Sequence, residues 1–137
     1  MTSVKPPAQT TVLIVEEEAL IAVDLEAELK HRGFDVCGIA GTRKDPLAIA
    51  ARDRPDVAVV DVRLAAGDDG VVLGSELADL YGVAVLYATG NADEVHRRAD
   101  AGLSVVLGKP YTADEIVAGI HAAQRFGGDE VVTRRCD

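Results

Sequence analysis

Five short apolar runs, at residues 11–15, 35–40, 57–60, 83–87 and 103–107, recur along the chain with segments of helical spacing between them. Runs this short, rich in Val and Ile and nearly free of polar alternation, read as strands covered on both faces, which is the pattern of a parallel sheet. Parallel neighbours need crossover connections, and the intervening segments supply helices to make them. Ile21, Leu25 and Leu29 recur every four residues ahead of Gly33, and Leu73, Leu77 and Leu80 form a second apolar stripe ahead of Gly82, each glycine suited to a helix C-cap. Shorter helical segments fall at 46–52 and 93–101. A final helix is opened by Thr112 and Glu115, a capping box, before Ile116, Ile120 and Ala123.

Strand and helix thus alternate five times, and right-handed crossovers then put helices on both faces of one open sheet. The expected fold class is α/β, a flavodoxin-like (βα)5 three-layer sandwich with a parallel five-stranded sheet. The strand order 2-1-3-4-5 is one of two common for such sheets, and is chosen rather than dictated by the pattern. At 137 residues the chain has room for one ordinary domain. The expected division is a flexible head at 1–10, a stand-alone folded domain at 11–125 and a charged tail at 126–137. Aromatics make up only 4% of the residues, so the core must be built from aliphatic side chains.

Charge and hydropathy exclude several function classes. A net charge of -9 with no basic patch argues against nucleic-acid binding, because phosphate backbones are held by clustered Lys and Arg. No apolar run approaches the roughly 20 residues of a membrane span, and the first ten residues lack a signal-type apolar region. A cytoplasmic location with no membrane contact is expected. Cys37 and Cys136 form neither a disulfide framework nor a metal-ligand spacing, and read as plain thiols. His31, His96 and His121 fall among polar neighbours on predicted helices and read as surface residues.

In open α/β sheets ligands sit beyond the carboxyl ends of the strands, so the residues there carry the chemistry. They are Glu16-Glu17-Glu18 after the first strand, Asp61 at the end of the third, Ala88-Thr89-Gly90 after the fourth and Gly108-Lys109-Pro110 after the fifth. Carboxylates gathered at one point repel one another unless a cation lies between them. Magnesium suits such a place, since it takes one or two carboxylates and keeps several waters or substrate phosphate oxygens. A transferring phosphoryl group needs its equatorial oxygens neutralised from several directions. Lys109 and Thr89 can each meet one oxygen, a metal ion the third, and Asp61 is placed to be the carboxylate nucleophile. Singly, each residue has a plain structural role: acidic residues open helices, Asp and Thr cap them, and Lys109 could be a solvated charge. Their joint placement outweighs those separate roles.

Val12-Leu13-Ile14-Val15-Glu16-Glu17-Glu18, Val59-Val60-Asp61, Ala88-Thr89-Gly90 and Lys109-Pro110 together resemble the signature of response-regulator receiver domains, over residues 11–125. The resemblance implies a phosphoacceptor switch rather than a conventional enzyme, one that takes a phosphoryl group onto Asp61 and slowly releases it. It implies catalytic roles for Asp61, Thr89 and Lys109, and a magnesium site formed by Glu16, Glu17, Asp61 and the backbone carbonyl of Arg63. It also implies a cis peptide bond between Lys109 and Pro110. The implied partners are a sensor histidine kinase or a histidine phosphotransfer protein, and a downstream protein target.

Three departures from the family pattern stand out. Glu17 is one methylene longer than the usual Asp, Val106 replaces the aromatic usually found three residues before the lysine, and the loop after Asp61 lacks its common proline. A threonine and aromatic switch of the usual kind therefore cannot operate. Leu86-Tyr87-Ala88-Thr89-Gly90 resembles a receiver subgroup with a Phe-Ala-Thr-Gly-aromatic motif, whose partners are often histidine kinases of the HWE and related classes; Asn91 departs from its last position. The switch is accordingly expected among Thr89, Val106 and Tyr87. A receiver-like interaction module that needs no phosphate is the alternative. A haloacid-dehalogenase-like phosphatase would want an Asp where Arg63 stands, and three glutamates would repel the phosphate of a flavin.

Overall fold

The Val-rich runs pair side by side into one parallel sheet. In the computed structural model, which describes residues 10–41, 44–63, 69–90, 105–126 and 132–134, the strands are β1 (Thr11–Val15), β2 (Asp35–Ala40), β3 (Val57–Asp61), β4 (Ala84–Thr89), β5 (Val105–Gly108) and β6 (Val132–Arg134). Their order is β2-β1-β3-β4-β5-β6, every pair parallel. The expected 2-1-3-4-5 order holds for the first five. A sixth strand from within the expected tail at 126–137 extends the sheet beyond β5, where the sequence reading places none.

Alternation along each strand splits the core into two layers. Val12, Ile14, Val57, Val59, Leu86, Val105 and Leu107 pack against α1 (Ala19–His31) and α4 (Ala113–Phe126). Leu13, Val15, Ala58, Val60, Val85, Tyr87 and Val106 pack on the other face, against α2 (Lys44–Asp53) and α3 (Gly70–Tyr81). Each fully buried aliphatic side chain contributes about 1.5–3 kcal/mol of transfer free energy. β2 differs from expectation: it is an edge strand, only half-buried, and its register slips between Val12 and Leu13, where Cys37 is bypassed.

The helices follow local chemistry closely, with two shifts in which face is buried. α1 buries Ala22, Leu25 and Leu29, while Ile21 stays 38% exposed, so the stripe runs at three-and-four spacing rather than strictly every four. α3 is capped by the Asp69 carboxylate, which accepts from the Val71 amide, and ends at Gly82 with φ of 66°. It buries Leu73 and Leu77 but leaves Leu80 61% exposed, because Gly74 and Val71 complete its inner face. The capping box of α4 forms as expected, the Thr112 amide donating to Glu115 and the Glu115 amide to Thr112. His121, expected at the surface, is half-buried beside Phe34, with ring centroids 6.1 Å apart. The expected helix at 93–101, His96, Asn91, Cys136 and most of the loop after Asp61 lie outside the described residues. Among the described residues no helix is long and apolar enough to cross a membrane.

Candidate functional site

The carboxyl ends of β1, β3, β4 and β5 meet at one edge of the sheet because the four strands are adjacent and in register, Val15 beside Val60, Asp61 beside Ala88 and Thr89 beside Gly108. Glu16, the first residue past β1, is held by its own amide, which donates to the Ala40 carbonyl, and its Oε2 accepts from the Glu18 amide at 3.1 Å. Asp61 ends β3, and its Oδ1 accepts from the Arg63 amide at 3.1 Å. Across from both, the Lys109 Nζ lies 3.4 Å from Asp61 Oδ2 and 3.6 Å from Glu16 Oε1. Lys109 is aimed there by its backbone: its amide donates to the Thr89 carbonyl at 2.8 Å, and the Lys109–Pro110 peptide is cis, as the resemblance implies.

Electrostatics explains why the lysine sits between two acids. Burial pushes the Glu16 carboxyl above the ordinary carboxylate value and nearby Asp61 adds to the rise, while the Glu18 amide and the Lys109 ammonium pull the other way. At about 3.5 Å, opposite unit charges attract by roughly 4–5 kcal/mol in an effective dielectric of about 20. That attraction is comparable with the repulsion between two neighbouring carboxylates, so one cation offsets the clustering without abolishing it. Tyr111 feels the same field. Burial first, then Glu16 and Asp61, raise its phenol above the usual range.

A polar cavity of about 420 Å³ opens beside this group, lined by Glu17, Glu18, Asp61, Arg63, Thr89, Gly90 and Lys109. Every residue the sequence singles out for catalysis therefore reaches one place, and Glu17 and Arg63 line it while Glu16 stands behind. No three His, Cys, Asp or Glu side chains among the described residues converge into a closed metal cage. The donor set is hard oxygen, two carboxylates flanking the Lys109 ammonium beside an open polar cavity, and it fits an ion that keeps several waters. Val106 and Tyr87 lie elsewhere, buried in the α2–α3 layer and paired with each other across β4 and β5.

Two features escape the sequence reading. Gly70 begins α3 tight against β3, its amide donating to the Val62 carbonyl at 2.8 Å, and a Cβ there would lie 2.7 Å from Val62 Cα. The signal was a glycine at the end of an unusual loop. A second cavity, of about 510 Å³ and mostly apolar, runs from Lys109, Pro110 and Tyr111 to Ile21 and Leu25 of α1. The sequence gives no sign of it, because Ile21 reads there as part of the buried stripe of α1.

The sequence matches the response regulator receiver domain model over residues 12–121. It is 35% identical over 118 residues to the transcriptional regulatory protein PdtaR of Mycobacterium tuberculosis, a match covering 84% of this chain and 57% of that protein. The chain thus spans little more than half the length of that curated relative. Among solved structures, the receiver domain of the PhyR response regulator from Erythrobacter litoralis is similar, with a TM-score of 0.74, 27% identity and coverage of 88% of this chain and 93% of that one. A response regulator protein from Burkholderia pseudomallei, solved with a phosphorylated aspartic acid, calcium ion and citrate, aligns with a TM-score of 0.69 and 25% identity over 82% of this chain and 66% of its own.

Proposed function

The chain belongs to the response regulator receiver domain family, and from that premise we propose that it is a phosphoacceptor switch modified on Asp61. One observation carries the proposal: an ammonium from the end of β5 stands 3.4 Å from the carboxylate that ends β3, at the rim of an open polar cavity. In the proposed step an Asp61 carboxylate oxygen attacks the phosphorus of a phosphohistidine on a partner protein. A new P–O bond forms and the P–N bond breaks, its electron pair returning to the imidazole nitrogen, which takes up a proton. Lys109 and the Thr89 hydroxyl meet the charge on the phosphoryl oxygens, the kind of placed donor whose loss costs about 10²–10³ in rate.

Receiver domains typically hold Mg2+ at this position. Here Glu16, Glu17, Asp61 and the Arg63 carbonyl would hold it, and when bound it supplies positive charge for the phosphoryl oxygens. Thr89, Tyr87 and Val106 form the region that responds. The partners we assign are a sensor histidine kinase, of the HWE class, or a histidine phosphotransfer protein, and a downstream protein target, all cytoplasmic. The phosphoryl group adds a charge of about -1.5 to -2 near neutral pH, enough to reorganise local contacts. Output by protein binding rather than DNA binding is supported by the net charge of -9.

The test is incubation with acetyl phosphate and magnesium followed by intact-mass measurement. A gain of one HPO3 unit is expected, absent with EDTA and absent in Asp61→Asn. A gain that survives the substitution defeats the site assignment.

A further inference from the structure

The aromatic that this chain lacks at Val106 is present one strand away. Tyr87 lies directly opposite Val106 in the β4–β5 register, is 2% exposed, and stands two residues before Thr89 on the same face of β4. Its hydroxyl donates a buried hydrogen bond of 3.0 Å to the carbonyl of Val71, in the first turn of α3. The ring fits because residue 74 is glycine: a Cβ there would come within 2.6 Å of the ring carbons and overlap the hydroxyl. That same first turn is bound to the phosphoacceptor strand, since the Gly70 amide donates to the Val62 carbonyl, and the Val62 amide donates to Ala88 of β4. Asp61, the start of α3 and the end of β4 therefore form a closed loop of contacts, and the Tyr87 hydroxyl is one of its links.

We propose that Tyr87 is a positioning residue that carries the state of the Asp61 pocket to the first turn of α3, through its bond to Val71 and the slot at Gly74. The inference rests on the phosphoacceptor reading and adds where the response goes. Thr89 is drawn toward an occupied Asp61, the end of β4 moves with it, and Tyr87 transmits the movement to α3. Val106, fully buried and paired with Tyr87 across β4 and β5, is the wall against which the ring responds.

The experiment uses the full chain with magnesium and beryllofluoride as a stand-in for the phosphoryl group, followed by NMR. In the unsubstituted chain the Thr89 amide and the Val71 carbonyl carbon are both expected to shift, and amide exchange in the first turn of α3 to change. Tyr87→Phe keeps the ring and removes the hydroxyl. It should leave the Thr89 shift in place and shrink the exchange response in α3 by about fivefold, the factor one ordinary hydrogen bond carries. The inference is overturned if the variant keeps the full α3 response, if it loses the Thr89 shift as well, or if the Val71 carbonyl of the unsubstituted chain stays still while Thr89 moves. If no magnesium-dependent shift appears at Thr89 in the unsubstituted chain, the phosphoacceptor reading itself fails and takes this inference with it.

Discussion

Gly70→Ala tests how tightly the start of α3 is packed onto the reactive strand. The added methyl would overlap the Asp61 carbonyl oxygen and lie 2.7 Å from Val62 Cα, whereas ordinary contact begins at 3.4 Å, so the two backbones must part by about 0.7 Å or more. All the obstructing atoms are main chain, and no side chain can swing aside. Overpacking of this kind costs about 1–3 kcal/mol, and weakening the 2.8 Å bond from the Gly70 amide to Val62 adds about 0.5–1.5 kcal/mol. Alanine returns about 0.4–1 kcal/mol by restricting the unfolded chain. The net expectation is a loss of about 1–3 kcal/mol, read in urea as a midpoint lower by roughly 1 M with an unchanged slope. Because the displaced segment carries Asp61, labelling by acetyl phosphate should also slow by about tenfold to a hundredfold. A variant as stable as the parent and labelled at the same rate would refute the packing argument.

Glu16 makes stability depend on pH in a defined direction when magnesium is chelated. Its folded proton affinity is raised by burial and by Asp61, so its contribution is fully present below the ordinary carboxylate value of about 4.3 and is lost as pH rises through the higher folded value. Glu16→Gln removes that loss, and urea titrations in EDTA across the same window should show the variant gaining on the parent as pH increases. Lys109→Met keeps the stem and removes the charge between Glu16 and Asp61, and should cut the rate of labelling by acetyl phosphate about 10²–10³-fold, measured by intact mass over time. Leu73→Ala empties a fully buried position on α3 and should cost about 2–5 kcal/mol in urea unfolding.

The fold was legible where the physics is periodic. Doubly covered strands such as β1 and β3 announce themselves by nearly unbroken Val-rich aliphatic runs, and the Thr112–Glu115 box marks the start of α4 by its own hydrogen bonds. The site was legible for a related reason: in a parallel sheet the residues that end each strand must converge, so Glu16, Asp61, Thr89 and Lys109 could be named from position. Face assignments were less secure. Ile21 and Leu80 obey a helical repeat yet stay exposed, because steps of four and of three residues drift to opposite sides of the helix and Ala22 and Gly74 take the inner positions. β6 gives no apolar run to read, and the roles of Gly70 and Gly74 are set by partners distant in sequence. The Tyr87 hydroxyl shows the same limit: the residue could be singled out in the sequence, but its bond to the Val71 carbonyl could not.

The central claim is that one carboxylate, the last residue of β3, receives the phosphoryl group. An aspartyl phosphate is reduced by borohydride to homoserine, so the chain treated with acetyl phosphate and magnesium, then with borohydride and a protease, reports the modified position by peptide sequencing in the mass spectrometer. The account predicts homoserine at position 61, dependent on magnesium. Homoserine at another acidic residue, or none at any, would contradict it.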